Sequence, residues 1–505
     1  MKMKSLALAS VFGAAALGAS PEAINGAETA TVRIGLASLP PWNGNPYTSS
    51  ARTSWYTWRA FFDTLVQLGP DMAPAPALAL TWQNTTPQTW VIGLRPGVTF
   101  SNGEPFNAEA VIANIAYLQS PAAVKESLGQ EVENIAGLRA LDPLTLEITT
   151  KKPDPLLPRQ LAALPIVPPA YWAKAGRDAF ALAPVGTGSF MVEKWGTARL
   201  ELKAFPNSWR APKSERVQIV VLPETSSRVQ ALLSGRIELA SEIGPEDIDV
   251  ITAAGFSHYQ RPATSLEVIA LNTLVDSPLK DKRVRQALNY AVDRKAITAT
   301  ILHGLVEPAT QTTPRSNPDY DPTIPGYAYD PAKAKALLAE AGYPNGFSFV
   351  FEMSSGTSGS HTASVMQTVA SDLAAVGVKM EIRPIPWSQY VRGVLQGEWN
   401  SQAFGFEYET MPTGATMRPF RLHSCSWPFP WYCDQDIMPV IEDAKTAFDP
   451  QRRLEATRKV LRAYHDNAAA ILLYEPLGID GLSPKLVGYS QVNGIIPYQD
   501  LMVRP

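Results

Sequence analysis

Residues 268–304 constrain the fold of this chain more than any other stretch, because an apolar run there is followed by two amphipathic segments. The run Val268–Leu271 predicts a buried strand, and Pro278 prevents its extension because proline lacks the N–H that a sheet ladder needs. Asp281 can cap a helix whose apolar residues recur at helical spacing, and Asp293 can cap a second helix. The sequence therefore predicts a strand followed by a short helical hairpin.

Length and composition set the broad class of protein. The chain has 505 residues, too many for one ordinary core, so two or three lobes are expected. Hydrophobic residues make up 45% and charged residues 18%, which is typical of a globular protein. The formal net charge is −3, whereas nucleic-acid binding usually needs a basic surface. We therefore expect no nucleic-acid partner.

Residues 1–27 are typical of a cleavable signal peptide. Two early lysines precede an apolar run, Leu6–Leu17, that is too short to span a bilayer. Cleavage can follow Ala19 or Ala27, of which we prefer Ala27, and a buried N-terminal helix is the alternative. Because no cysteine stands there to carry a lipid, we expect a soluble protein exported to a Gram-negative periplasm.

The chain has two cysteines, Cys425 and Cys433, eight positions apart. In an oxidising compartment such a pair predicts a local disulfide. The bond would close a loop rich in tryptophan, proline and other rigid residues. Two free thiols are the alternative interpretation.

Several separate motifs follow one another in a recognisable order. In chain order they are Pro74–Ala79 with Trp82, Trp90–Gly103, Asn107–Val111, Pro184–Phe190, Asn272-Thr273 with Pro278 and Asp281, Arg283–Ala287, Ala291–Arg294, and Tyr329–Gly346. Together they resemble the extracellular solute-binding proteins of family 5, the oligopeptide-, dipeptide- and nickel-binding components of ABC importers. The resemblance covers nearly the whole mature chain, and the shared order is more specific than any one motif.

The resemblance implies an α/β fold, a two-lobed periplasmic binding protein of class II, cluster C type, with a hinge between the lobes and an extra subdomain in the first lobe. We expect the signal peptide at residues 1–27 and the first lobe at residues 28–264, with the inserted subdomain at about 70–185. The second lobe is expected at residues 265–475, and residues 476–505 are expected to return to the first lobe.

The resemblance also implies the function. A ligand would bind between the lobes, which close by hinge motion, and the closed protein, a monomer without a cofactor, would deliver it to an ABC permease and its ATPase subunits. We expect a small polar organic solute, such as an opine or a sugar-phosphate conjugate. A short peptide is the alternative within the class, a nickel or other metal chelate is the third, and a secreted hydrolase is a distant alternative from a different class.

One departure from the family pattern guides the choice of ligand. Peptide binders that this chain resembles carry an aspartate just before a proline, which pairs with the peptide's amino terminus, and Met411 stands at that position here. Losing the partner of a buried ammonium would cost several kcal/mol, which disfavours a free peptide. Glu407 or Glu409 could replace the missing charge, so the peptide stays an alternative.

Candidate ligand contacts come from both expected lobes. Arg418 is a candidate clamp for a carboxylate or phosphate because its guanidinium is a planar fork; an ordinary surface arginine is the alternative. Aromatic residues in the second lobe could stack on a ring or belong to the core. The full set of predicted contacts is Tyr47, Ser49, Arg52, Asn272, Trp387, Glu407, Tyr408, Met411, Arg418 and Trp431.

The sequence shows no catalytic or metal-binding set. Its five histidines are scattered without the spacing of metal ligands, and the chain has no Gly-X-Ser-X-Gly nucleophile elbow. We therefore expect a binding protein rather than an enzyme, with no catalytic residues and no metal site.

Overall fold

The computed structural model describes residues 31–49, 52–354, 361–476 and 478–504, with Arg52 and Thr53 described through their backbones only. The expected signal peptide lies outside the described residues. The strands are β1 (Thr31–Leu36), β2 (Val66–Leu68), β3 (Pro74–Pro76), β4 (Ala79–Thr86), β5 (Thr89–Leu94), β6 (Ile135–Asp142), β7 (Thr145–Thr150), β8 (Phe190–Trp195), β9 (Arg199–Ala204), β10 (Arg216–Val221), β11 (Leu239–Ala240), β12 (Ser257–Arg261), β13 (Glu267–Leu271), β14 (Phe347–Ser354), β15 (Val378–Ile385), β16 (Ala403–Glu407), β17 (Ala470–Tyr474), β18 (Gly478–Leu482), β19 (Leu486–Val487) and β20 (Met502–Val503).

The α-helices are α1 (Arg52–Trp58), α2 (Ala108–Gln119), α3 (Leu157–Gln160), α4 (Pro169–Leu182), α5 (Thr225–Leu233), α6 (Asp247–Ala253), α7 (Lys282–Ala291), α8 (Arg294–Thr300), α9 (Pro331–Glu340), α10 (Thr362–Ala375), α11 (Trp387–Gln396), α12 (Met438–Thr446) and α13 (Pro450–Asp466). Short 3₁₀ turns span Pro121–Ala123, Ser127–Val132, Leu161–Ala163, Pro278–Lys280, Pro419–Arg421 and Tyr498–Asp500.

The first lobe is built on a seven-stranded sheet in the order β12-β18-β11-β1-β10-β9-β8. Strand β1 lies between β10 and β11 and is parallel to both. Strand β18, from the C-terminal part of the chain, is antiparallel to β11 and β12. The sheet is therefore completed by residues that follow the second lobe in sequence.

The second lobe is built on a five-stranded sheet in the order β15-β14-β16-β13-β17. The predicted strand is present as β13, and the predicted helical hairpin follows it. The Asp281 side chain accepts the N–H of Arg283 at the start of α7, and the Asp293 side chain accepts the N–H of Ala296 at the start of α8. These caps satisfy backbone donors that a helix leaves without partners in its first turn.

A four-stranded antiparallel sheet, β4-β5-β7-β6, forms a subdomain on the first lobe. Helix α2 packs against it and is capped by Asn107, whose side chain accepts the N–H of Ala110. In β5 and β7 buried residues alternate with half-buried ones, so one face of the sheet is packed more closely than the other.

The chain crosses between the two larger sheets twice. One crossing segment, residues 262–266, runs from β12 to β13, and the other, of which residues 475 and 476 are described, runs from β17 to β18. The expected lobe boundaries, at residues 264 and 475, fall in these segments and stay a prediction. Two short crossings joining two separately packed sheets are the arrangement that permits hinge motion.

Candidate ligand-binding cleft

The cleft lies between the carboxyl-terminal edges of strands in the two larger sheets. In the first sheet β1, β10 and β11 end at the edge where the crossing segments leave, since Arg261 pairs with Gly478 there. In the second sheet β14 and β16 are parallel, and β13 is antiparallel to β16, so β13 begins where they end. Ligands of open α/β sheets bind outside the carboxyl ends of strands. The cleft therefore opens beside the hinge.

Two glutamates stand opposite each other at this edge of the second sheet. Glu267, the first residue of β13, pairs in register with Glu407, the last residue of β16, and also lies beside Tyr474 of β17. Glu407 is exposed, whereas Glu267 is half-buried. The Glu407 carboxylate accepts a hydrogen bond from the hydroxyl of Ser265 in the first crossing segment. The predicted contact Glu407 is therefore coupled directly to the hinge.

This glutamate pair changes the protonation of its surroundings. Burial, together with the negative charge of Glu407, raises the pKa of Glu267 well above the usual value for a glutamate. Burial and the charges of the same two glutamates also raise the pKa of Tyr390 and of Tyr474. The edge of the second sheet is thus acidic, and Glu267 holds its proton more tightly than an isolated carboxyl group.

Trp387 presents an aromatic face beside this acidic edge. It follows β15 at the start of α11 and its side chain is 53% exposed. Its ring stacks on Tyr390, with centroids 5.2 Å apart and an interplanar angle of 14°. The Tyr390 hydroxyl in turn donates to the carbonyl of Gly405, 3.0 Å away. The tryptophan is therefore held in a fixed orientation with one face open to solvent.

Met411 lies where the two lobes touch. It is only 6% exposed and belongs to the apolar core of the first lobe, although it follows β16 of the second. Its N–H donates to the carboxylate of Glu409, 2.8 Å away. Met411 borders a cavity of about 30 Å³, enough for about two water-sized groups. The other residues that line this cavity are Trp55, Arg59, Thr64, Gln67, Leu68, Ala162, Pro412, Asn493, Gly494 and Ile495.

Arg418 pairs across the lobes. Its guanidinium donates to the Glu131 carboxylate of the first-lobe subdomain, 3.1 Å away, and the two side chains are 19% and 10% exposed. Arg421 lies close by. Burial and the charge of Arg418 lower its pKa, and the charge of Glu131 acts in the opposite direction. We call Glu131, Arg418 and Arg421 the interlobe latch. In this conformation the guanidinium predicted to clamp a ligand is engaged by Glu131.

Tyr408 and Trp431 lie in the aromatic core of the second lobe, and both are fully buried. The Tyr408 hydroxyl hydrogen-bonds to Nδ1 of His423, and burial lowers the pKa of His423 to about 3. The predicted disulfide between Cys425 and Cys433 is present in the loop that carries Trp431. The loop therefore anchors an aromatic side chain in the core rather than presenting it to the cleft.

The remaining predicted contacts lie in different places. Tyr47 is fully buried against Tyr117 and Trp172, with its hydroxyl bonded to Asn114. Asn272 is 7% exposed and lies at the far end of β13, about 16 Å from Glu267 at roughly 3.3 Å per residue.

Two predicted contacts lie near the break in the described chain. Ser49 is half-buried in the loop that follows β1, and the side chain of Arg52 lies outside the described residues. The structure thus brings Glu407, Trp387, Met411 and Arg418 to the region between the lobes, whereas Tyr47, Asn272, Tyr408 and Trp431 lie in the interior of a lobe or away from the cleft.

Sequence reasoning missed Glu267, Tyr474 and Ser265. Ser265 lies within a crossing segment and the other two border one, so their positions depend on which strands meet at the hinge. The available signal was the glutamate immediately before the predicted apolar strand, because a charged residue at a strand terminus marks the end that leaves the core.

Two structural observations bear on metal binding and on membrane insertion. Within the described ranges, no group of three or more histidine, cysteine, aspartate or glutamate side chains is placed to hold a metal ion. None of the helices in the described part of the chain combines the length and apolar character needed to cross a bilayer.

Comparisons with known proteins agree with this architecture. The pattern of the bacterial extracellular solute-binding proteins, family 5 Middle, matches residues 73–426. The glutathione-binding protein GsiB of Salmonella typhimurium (strain LT2) is 29% identical over 446 residues, covering 85% of each chain.

Two solved structures share the fold. The periplasmic binding protein DppA of Helicobacter pylori, in complex with the peptide STSA, aligns with a TM-score of 0.81 at 22% identity over 94% of this chain and 98% of that chain. AgaA of A. tumefaciens R10, in complex with agropinic acid, aligns with a TM-score of 0.81 at 22% identity over 94% and 99%. The predicted family and two-lobed fold are confirmed: the chain belongs to the bacterial extracellular solute-binding proteins of family 5 and is a substrate-binding protein of an ABC importer.

Proposed function

We propose that the protein captures a small polar organic solute of the opine class, in which an amino acid is joined to a polyhydroxylated chain. The solute binds between the two lobes and is handed to an ABC permease with its ATPase subunits. The proposal rests on one observation: the exposed Glu407 carboxylate and the open face of Trp387 lie at the edge of the cleft, beside the hinge.

The two side chains suit two parts of such a solute. A carboxylate accepts hydrogen bonds from hydroxyl or ammonium groups, and charge-assisted bonds of this kind are the stronger ones. A tryptophan face binds the apolar face of a polyhydroxylated chain or ring, while its edge stays wet. Closure of the lobes would then remove water from both contacts and strengthen the electrostatic one.

The interlobe latch favours an opine over a sugar phosphate. A phosphate would need a free guanidinium or a comparable cation, and Arg418 is engaged with Glu131 at 3.1 Å. An opine offers donors to Glu407, and its carboxylate carries less negative charge than a phosphate, so it depends less on a free guanidinium. AgaA, which shares the fold, is described in complex with the opine-type ligand agropinic acid.

A peptide-like solute is the second candidate. The Glu407 carboxylate could receive an amino terminus in place of the charge that Met411 lacks. GsiB, the relative at 29% identity, is a glutathione-binding protein, so glutathione is the appropriate probe for this alternative.

The ligand can be identified in two steps. Solute released by denaturing the purified protein is identified by mass spectrometry, and the emptied, refolded protein is then titrated calorimetrically with agropinic acid, glutathione and the tetrapeptide STSA. We expect agropinic acid to bind more tightly than the other two. A released peptide, or tighter binding of glutathione, would contradict the opine assignment.

Variants link the ligand to the cleft edge. Glu407→Gln should weaken binding about 10- to 100-fold, because a hydrogen bond to a charged group contributes roughly 1.5–3 kcal/mol. Glu381→Gln is the matched control, since Glu381 is an exposed glutamate within β15 of the same sheet. Trp387→Ala should also weaken binding, whereas Phe429→Ala should not, because Phe429 contacts Gly397 at the opposite end of α11.

Export and the lack of catalysis are part of the same proposal. We expect the periplasmic fraction to contain protein that begins after residue 27, as N-terminal sequencing would show, and to behave as a monomer in light scattering. We expect no steady hydrolysis of amides or esters by the purified protein. Sustained turnover would support the hydrolase alternative instead.

A further inference from the structure

Both crossing segments meet the second sheet at the glutamate pair. Glu267 is the first residue after the crossing at 262–266. Tyr474, directly beside it, is the last residue before the second crossing segment. Glu407 reaches Ser265 within the first crossing segment through a hydrogen bond. Any rotation of one lobe against the other therefore changes the surroundings of these two carboxyl groups.

The pair faces further titratable groups on the elements packed around it. Tyr474 of β17 and Tyr390 of α11 both feel the charges of Glu267 and Glu407. Glu475, in the second crossing segment, pairs with Arg315, and burial raises its pKa. From α10, His361 approaches the ring of Tyr474 at 6.3 Å. Burial lowers the pKa of His361, which keeps its imidazole neutral at neutral pH. The charge that raises the pKa of Glu267, in addition to burial, is that of Glu407.

Two like charges directly opposite each other on adjacent strands repel, because facing Cβ atoms in an antiparallel pair are about 5 Å apart. One proton held by the pair removes this repulsion. The repulsion grows when water is excluded, since the interaction energy of two charges rises as the dielectric constant falls.

We propose that Glu267 and Glu407 form a proton switch for lobe closure, which rests on the proposed capture of a solute between the lobes. The pair takes up one proton from solvent as the cleft closes and returns it to solvent as the cleft opens. Closed protein then holds this proton more tightly than open protein. By linkage, lower pH favours the closed state and higher pH favours opening and release.

In the present conformation the lobes touch through Met411 and the interlobe latch. The pKa of Glu267 is raised in this conformation, which agrees with proton uptake on closure. If closure raises the pKa of the pair by one unit, the equilibrium between open and closed protein changes about tenfold over the pH range in which the pair titrates. The coupling is thus large enough to measure without any solute.

The test is small-angle X-ray scattering of the solute-free, full-length protein between about pH 5 and pH 9. The radius of gyration of the wild-type protein should increase with pH as the lobes open. Glu267→Gln should flatten this pH profile. Glu407→Gln removes the repulsion but not the burial of Glu267, so it should move the midpoint of the profile to lower pH. Glu381→Gln should retain the wild-type profile, because its carboxylate lies within β15 away from the hinge.

A wild-type radius of gyration independent of pH, or a profile unchanged in both glutamine variants, would overturn the proposal. If Glu267→Gln fails to fold, the exposed Glu407→Gln still decides, because the proposal requires both carboxyl groups. Failure of the switch is distinguishable from failure of the proposed function, since solute binding is measured separately at one fixed pH.

Discussion

Breaking the interlobe latch should shift the protein toward its open form. The structure joins the lobes through the ion pair between Arg418 and Glu131, and Arg421 approaches the same carboxylate. Glu131→Gln removes a carboxylate that offsets the charge of Arg418 on Arg421, whereas Arg418→Met leaves Glu131 with Arg421 as a neighbouring cation. We therefore expect Glu131→Gln to have the larger effect of the two.

The size of the effect follows from the geometry. At the 3.1 Å separation of Arg418 Nη2 and Glu131 Oε1, Coulomb's law with an effective dielectric constant near 20 gives an attraction of about 5 kcal/mol. Desolvation offsets most of this attraction. For comparison, fully exposed pairs contribute roughly 0–1 kcal/mol to stability, and losing one partner of a buried pair costs roughly 3–5 kcal/mol. The side chains are 19% and 10% exposed, so we expect a coupling energy of about 1–2 kcal/mol.

A double-mutant cycle measures this coupling. The fraction of closed protein is measured by small-angle scattering for the wild-type protein, both single variants and the double variant. A coupling energy of about 1–2 kcal/mol corresponds to a five- to thirtyfold change in the equilibrium between open and closed protein. Glu442→Gln is the matched control, because Glu442 pairs across the lobes with Lys152 but both side chains are more than half exposed. A coupling energy below about 0.3 kcal/mol, or equal opening caused by Glu131→Gln and by Glu442→Gln, would refute this reasoning.

Three further predictions concern stability. The folded-state pKa of Glu267 lies above its unfolded value near 4.3, so the protein loses stability as pH rises between those two values. Glu267→Gln should therefore raise the Tm at pH 7.5 but not at pH 4. An equal change in Tm at both pH values would contradict this prediction. Replacing Cys425 and Cys433 by serine should lower the free energy of unfolding by roughly 2–3 kcal/mol, as denaturant titration would measure, because the bridge closes a loop of eight positions. Trp431→Ala should cost roughly 3–5 kcal/mol of folding stability, since the side chain is fully buried, whereas Trp387→Ala should leave the Tm nearly unchanged.

Local sequence patterns predicted much of the second lobe. The strand before Asn272 and the capping roles of Asp281 and Asp293 are all present. These features depend on residues within a few positions of each other, such as a side-chain oxygen that accepts an N–H in the first turn of its own helix.

The exposure of individual aromatic residues was harder to predict. Trp387 and Trp431 occur in similarly proline- and aromatic-rich surroundings, yet one is 53% exposed and the other is fully buried. The difference arises because Trp431 packs between Phe404 and Phe406 of β16, which are distant in sequence. Only the packing of separate segments decides which side chain faces water.

The sequence alone determined the family, the α/β class and the position of helix caps, because these follow from local periodicity, capping chemistry and the order of motifs. Tertiary structure decided which charges meet. Glu267 and Glu407 are 140 positions apart and become neighbours only through the register of β13 and β16. Arg418 and Glu131 meet only when the subdomain lies against the second lobe. Such contacts depend on strand order and lobe placement, which local patterns do not encode.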